Sequence, residues 1–159
     1  MRNIQVLLFR TNSSWSPLIL RVLMSIVVFP HGAQKLFGLF GGYGFTGTMN
    51  YFTETLGIPW VLGFMAIILE TFGVVALLFG FATRILAISF FFLALTIMFT
   101  VHFEHGFFMN WYGNKAGEGY EYFLLWIAMI LVLIVMGGGN YSIDKLLFKK
   151  KKDSLKIVF

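Results

Sequence analysis

The chain has 159 residues, of which 58% are hydrophobic and 12% are charged, and it contains no cysteine. Soluble domains carry about a quarter charged residues, so this composition indicates an integral membrane protein, and the length suits one domain. Without cysteine, disulfides, cysteine-ligated iron–sulfur clusters and thiol–disulfide exchange are excluded. The net charge of +5 includes a lysine run at 149–152 beside an apolar body. That pattern is typical of a cytoplasmic membrane boundary, so nucleic acid is not an expected partner.

Four segments are apolar enough to cross a bilayer, which takes roughly 20 residues. The turn between the second and third is very short, at 80–83, so these two helices are expected to be antiparallel neighbours. We predict an all-α fold, an integral membrane four-helix bundle formed by residues 1–148 and followed by a basic cytoplasmic tail at 149–159. The predicted spans are 17–37, 59–79, 84–103 and 122–138.

Basic residues predict the orientation of this bundle. Arg2, Arg10, Arg84 and Lys145 fall on one side of an even number of spans, together with the lysine run. Because cytoplasmic loops are enriched in lysine and arginine, we predict a multi-pass protein of the inner (plasma) membrane with both termini cytoplasmic. A cleaved signal peptide is not favoured, since no small-residue cleavage site follows the first apolar run.

The connecting segments carry helix signals of their own. In the first outer loop, Thr46 or Thr48 is expected to cap a short helix that Gly57 ends, before Pro59 starts the next span. Its apolar residues share one face, so we interpret it as an interfacial helix over the outer end of the bundle. At the other end, Ser142 is expected to cap a cytoplasmic surface helix, whose lysines favour anionic membrane lipids.

Span one carries polar residues where an apolar helix is expected. Arg21, His31 and Lys35 recur on one stripe, and Gln34 adjoins it. Pro30 removes a backbone donor in the same region, which predicts a kink. Ionisable groups inside a membrane usually face the bundle interior or a wet cavity. The outer third of span one is therefore expected to line something polar.

Glu70 lies near the middle of span two, among small residues that allow helices to approach closely. Arg21 and Lys35 are the candidate cations for this carboxylate, and His31 is a candidate hydrogen-bond partner. His102 and Glu121 lie at the outer ends of spans three and four. Two interpretations stay open, since these groups either hold the bundle together or form a binding or proton-handling site. In the second case we expect an outer pocket with Glu70 at its floor, walled by Phe29, Phe37 or outer-loop aromatics.

Two cofactor hypotheses find little support. His31 and His102 are predicted at similar depth, as a haem would need, but nothing else indicates a haem pocket. The segment His102-x-Glu104-His105 matches no strong ligand template, so no metal site is expected.

The segments RVLMSIVVFPHGAQKLFG, GTMNYFTETLGIP, ETFGVVALLFGFATR, GYEYFLLW and GGGNYSID occur in that order. With these segments in this order, the chain resembles the DoxX family of small four-helix membrane proteins. The family takes its name from a small subunit of a thiosulfate:quinone oxidoreductase, and other members are linked to oxidative-stress complexes. The resemblance implies polar-site roles for a set of residues that comprises Arg21, His31, Gln34, Lys35, Glu70 and Glu121. It implies no particular catalytic residue.

Three functions follow from these observations. The first is a membrane subunit of a quinone-linked oxidoreductase or redox-stress complex, with a quinone as ligand, no covalently bound cofactor, and a partner subunit that supplies electrons. The second is a non-catalytic scaffold or anchor for partner proteins. The third is a carrier of a small molecule or lipid, which would need a homo-oligomer.

Overall fold

The computed structural model describes residues 10–156, and all regular structure in this range is helical. The all-α prediction is therefore confirmed. Arg2 lies outside the described residues, as do the side chains from Lys150 onward. The six helices are α1 (Ser16–Phe37), α2 (Gly44–Asn50), α3 (Trp60–Leu78), α4 (Thr83–His105), α5 (Glu121–Met136) and α6 (Ile143–Lys156).

Helices α1, α3 and α4 are long and apolar enough to cross a membrane. The fourth predicted span is shorter than expected, because α5 has 16 residues and so covers about 24 Å, less than the roughly 30 Å of a bilayer core. The prediction extended this helix to Gly138. It ends at Met136 because Gly137 has a φ of 73°, outside the helical region.

Four helices, α1, α3, α4 and α5, pack around one apolar core. Phe90 of α4 contacts Trp126 of α5, with 6.2 Å between ring centroids. Large apolar side chains also cover the outside of the bundle, among them Ile26, Leu125 and Val135. Such a surface is typical of helices that face lipid. The core consists of Met24, Val28, Val74, Leu77, Ala87, Phe90, Ala94, Met98, Phe123, Trp126, Ile130 and Leu133.

The predicted helix in the first outer loop is present as α2. It continues through a π-helical turn at Tyr51–Thr55, and Gly57, with a φ of 64°, follows its end as predicted. The predicted threonine cap is wrong, because the helix begins at Gly44 without a side-chain cap. Met49 is buried and lies with Phe52 against Gly63 of α3. This contact fixes α2 against the first turn of α3.

Arg21 is fully buried and connects several elements at the other end of the bundle. Its guanidinium donates hydrogen bonds to five backbone carbonyls, those of Leu77, Leu78, Gly138, Asn140 and Tyr141. The last carbonyls of a helix lack partners within it, so Arg21 supplies donors at the end of α3. Arg21 thereby ties α1 to the end of α3 and to the segment after α5.

Asp144 and Ser142 hold α6 against the same end. The Asp144 carboxylate accepts hydrogen bonds of 2.8 Å from the backbone N–H groups of Ala82 and Thr83, at the start of α4. Ser142 accepts a hydrogen bond from Lys145 N at 3.1 Å, which confirms its predicted capping role. Helix α6 continues beyond Phe148, through the predicted start of the basic tail.

Candidate functional site

The site begins with a close approach of α1 to α3 at Gly32. A Cβ atom added to Gly32 would lie 2.5 Å from the carbonyl carbon of Glu70 and 2.7 Å from Thr71 N, so only glycine fits this contact. One turn further along α1, Lys35 Nζ forms an ion pair with Glu70 Oε2. The structure thus brings together two of the predicted polar residues because their helices touch backbone to backbone.

This ion pair is largely shielded from the surface. The Glu70 side chain is 4% exposed and that of Lys35 is 25% exposed. A buried carboxylate is costly unless it is paired, and Lys35 supplies the pairing. Glu70 lies in a π-helical turn of α3 at Leu69–Gly73. Such turns interrupt the regular helix and are frequent at functional sites.

A cavity of about 500 Å³, which we call the first cavity, lies beside the ion pair. It brings together four of the seven predicted site residues, namely His31, Lys35, Glu70 and His102. Its size falls within the roughly 300–1,000 Å³ of small-molecule sites, and its wall is mostly apolar with a few convergent polar groups. The lining residues are Val27, Val28, His31, Lys35, Glu70, Ile97, His102, Met109, Glu118, Tyr122, Phe123 and Trp126.

His102 has a defined hydrogen-bonding state at this wall. It lies in a π-helical turn of α4 at Met98–His102, and its Nδ1 is 2.9 Å from the carbonyl oxygen of Glu118. A carbonyl only accepts, so Nδ1 carries the proton, and in the neutral ring Nε2 is left as an acceptor. The ring also packs on Phe123, with 4.7 Å between centroids. His102 can therefore accept a hydrogen bond from a ligand hydroxyl.

A further part of the wall comes from α5 and the residues just before it, and was not predicted. Glu118, Tyr122 and Trp126 follow one another at four-residue spacing and line the cavity together. Trp126 Nε1 is buried and has no hydrogen-bond partner among the described residues. A buried donor without a partner is uncommon in folded proteins and is consistent with a ligand group nearby. The four-residue spacing that starts at Glu118 was the available sequence signal.

The predicted aromatic wall is wrong in its members. Phe29 lies in a separate groove beside Pro30 and Val75, on another side of α1. Phe37 is more than half exposed at the end of α1 and does not line the first cavity. The aromatic rings at this cavity come instead from α5, where Tyr122, Phe123 and Trp126 share one face.

Three predicted site residues lie elsewhere. Arg21 binds carbonyls at the opposite end of the bundle, 14 positions before Lys35, or about 21 Å along α1. Gln34 Nε2 donates to the Phe40 carbonyl at 3.2 Å and so holds the turn after α1. Glu121 Oε1 accepts from Met109 N at 3.1 Å and from Trp111 Nε1 at 3.3 Å. Each thus stabilises a connection between elements, and none of the three lines the first cavity.

Neither cofactor hypothesis gains support from the geometry. Within residues 10–156, no three His, Asp or Glu side chains are grouped so that they could hold a metal ion. Glu104 and His105 lie 3.6 Å apart beyond the cavity. His31 and His102 both line the first cavity, so that cavity is the place where a haem hypothesis would have to be tested.

Comparisons with known proteins agree with this architecture. The DoxX family model matches residues 16–103, which contain α1 to α3 and α4 up to Phe103, and with them Lys35, Glu70 and His102. The chain is 30% identical over 136 residues to a Bacillus subtilis (strain 168) protein named "Putative oxidoreductase CatD"; the match covers 86% of the chain and 90% of that protein. It is 33% identical over 133 residues to "Inner membrane protein YqjF" of Escherichia coli (strain K12); this match covers 84% of the chain and 92% of that protein. No solved structure matches the chain. The chain therefore belongs to the DoxX family of membrane proteins.

Proposed function

We propose that this protein is the membrane subunit of a quinone-linked oxidoreductase or redox-stress complex, and that the first cavity holds the quinone ring. The observation that carries the proposal is the shielded Lys35–Glu70 ion pair on the wall of a cavity of about 500 Å³. Intramembrane ionisable groups that face a cavity are typical of ligand sites and proton relays. A pair that only stabilised the bundle would be close-packed with no cavity beside it.

The residues of the cavity suit a planar ring with two carbonyl acceptors. The Lys35 ammonium has three donors, of which one is used by Glu70, so it can also donate to a quinone carbonyl. Trp126 Nε1–H is a buried donor without a partner among the described residues. Tyr122 and Phe123 offer aromatic surface for the ring. His102 Nε2 can accept from the hydroxyl of the reduced form.

Proton transfer falls to the ionisable residues around the ring. Reduction of a quinone to a quinol takes up two electrons and two protons. In this proposal Glu70 receives a proton from the outer side and passes it to the oxygen that Lys35 holds, with His31 and His102 as further proton-exchanging groups. The electrons come from a partner redox subunit, and the oxidoreductase name of the Bacillus subtilis relative supports this reading.

One observation favours the alternative of a non-catalytic anchor. Helix α6 is fixed to the bundle by Asp144 and Ser142 and so forms a rigid element on the predicted cytoplasmic side. A partner protein could dock on this element whether or not the first cavity binds a ligand. The anchor would leave the Lys35–Glu70 pair with a structural role only.

Lipid extraction and mass spectrometry of the purified protein test the proposal. Wild type in mild detergent should carry a quinone at near-equimolar amount, and so should His105→Ala, which removes a histidine outside the first cavity. Glu70→Gln and Lys35→Gln should lose most of it, because both change groups at the cavity wall. A folded wild type without quinone that retains a soluble partner would favour the anchor, and a stoichiometric phospholipid would favour the carrier.

A further inference from the structure

A second cavity, of about 240 Å³, lies on the other side of the ion pair. It is lined mainly by α3, by α4 and by residues 51–58, which follow α2, and we call it the second cavity. Lys35, Glu70 and Ile97 line both cavities. The two spaces are therefore neighbours that share a wall formed by the ion pair and Ile97.

Away from the ion pair, the second cavity is an apolar space. Its wall includes Ile58, Ala66 and Leu93. The hydroxyls of Thr96 and Thr100 also line it, but they donate to carbonyls one turn earlier in α4, at 2.9 and 2.7 Å. These hydroxyls therefore do not direct their protons at a ligand. The wall suits hydrocarbon and offers little to a polar group.

The second cavity opens on the side of the bundle. Leu62 is 57% exposed, and Thr96 and Thr100 on the facing helix are also exposed. Helices α3 and α4 are joined by a short turn at the Arg21 end, whereas the cavity separates them toward their other ends. In a membrane, lipid covers this opening, because the surrounding surface of both helices is apolar.

We propose that the second cavity receives the hydrocarbon tail of the same quinone whose ring lies in the first cavity. The ligand is then a membrane-borne, long-tailed quinone that enters sideways between α3 and α4, and not a water-soluble one. The polar pair marks the junction of ring and tail, and the apolar wall continues from there to the lipid. This inference rests on the proposed function and specifies the substrate class for that site.

Blocking the second cavity without changing the first tests the inference. Ala66→Phe places a ring in the second cavity. Met65→Phe is the matched control, because Met65 is 59% exposed on the adjacent face of α3 and lines neither cavity. Each protein, in nanodiscs of one lipid composition, is titrated with a decyl-tailed quinone and with the same ring that carries a methyl group in place of the tail. Affinities are compared between variants for the same ligand. The partition of that ligand into lipid is then the same in each measurement and does not affect the comparison.

Ala66→Phe should weaken the decyl quinone about tenfold, because the tail then loses roughly ten atom–atom contacts with the wall of the second cavity. The methyl quinone should bind Ala66→Phe and wild type within a factor of two, and Met65→Phe should match wild type with both ligands. Equal affinities of Ala66→Phe and wild type for the decyl quinone, with the methyl quinone still bound, would overturn the tail site and leave the ring site standing. Binding of neither ligand to wild type would overturn the ring site and the inference with it.

A second measurement does not depend on the fold of Ala66→Phe. Wild type is illuminated with a quinone that carries a diazirine on the first carbons of its tail, and the labelled peptides are identified. Labels should fall on residues 58–66, which include the start of α3, and on residues 93–101 of α4. Labelling confined to the outer surface of α1 or α5 would contradict the inference.

Discussion

Lys35 of α1 and Glu70 of α3 form an ion pair that is part of the wall of two cavities at once. The pair exists because Gly32 lets the two helix backbones touch one turn earlier. Its position next to empty space distinguishes it from Arg21, whose charge is enclosed by carbonyl groups. The two buried cations of α1 thus have different tasks, one beside the cavities and one in the frame of the bundle.

Removal of the carboxylate should destabilise the protein. Glu70→Ala leaves Lys35 without its partner, and we expect a loss of about 2–3 kcal/mol, below the ~3–5 kcal/mol of fully buried pairs because Lys35 is partly exposed. Glu70→Gln should lose less, since the amide oxygen still accepts from Lys35. Thermal unfolding in detergent measures both. Melting temperatures equal to wild type for both variants would show that the pair has no structural role.

The glycine at the helix contact should tolerate no side chain. In Gly32→Ala the new Cβ meets the backbone of Glu70 and Thr71, so α1 and α3 must separate, at a cost of about 1–3 kcal/mol. Leu23→Ala, on an exposed position of the same helix, serves as the control and should change little. Wild-type stability of Gly32→Ala in the same unfolding assay would refute the close approach.

The Arg21 end should be separable from the site. Arg21→Leu removes the donor to five buried carbonyls and should cost about 3 kcal/mol, in the range of hydrogen bonds to charged groups. Ligand affinity of the folded protein should stay unchanged, because Arg21 lies about 21 Å along α1 from Lys35. Unfolding and quinone titration at a temperature where the variant is folded measure the two effects. A large loss of affinity with no loss of stability would reverse this assignment.

The sequence predicted the frame of the bundle because that frame depends on local signals. Apolar runs predict the bounds of α1, α3 and α4 to within a few residues. Gly57 follows the end of one helix and Ser142 caps another, and both effects depend only on the neighbouring backbone. Helix α5 ends two residues before the predicted position, because Gly137 has a positive φ.

The site was predicted only in part. The sequence indicates how far along a helix a residue lies, but not which residues of different helices touch. The predicted stripe on α1 contains His31 and Lys35, which line the first cavity, but it also contains Arg21, which does not. Three of the five carbonyls that bind Arg21 come from 138–141, a segment whose return to α1 has no sequence signal. Tyr122 and Trp126 were missed because aromatic residues on an apolar helix are ordinary. The π-helical turns at Glu70 and His102 depend on packing and could not be predicted.

The orientation in the membrane remains a prediction that labelling can test. The chain has no cysteine, so single-cysteine variants give an unambiguous signal. With both termini cytoplasmic, Asn114→Cys should react with an impermeant thiol reagent in intact cells, and Ser154→Cys should react only after lysis. Reaction of Ser154→Cys from outside would reverse the topology.

The most direct test of the account is a titration of a short-chain quinone against wild type, His31→Ala and His105→Ala. His31 lines the first cavity and His105 lies outside it, so the two variants remove the same side chain at different places. Saturable binding should be seen with wild type and His105→Ala. It should be about tenfold weaker with His31→Ala, because His31 is one of the few polar groups on the cavity wall and can hydrogen-bond a quinone oxygen. Absence of binding to folded wild type, or equal affinity for all three proteins, would contradict a quinone site in this cavity.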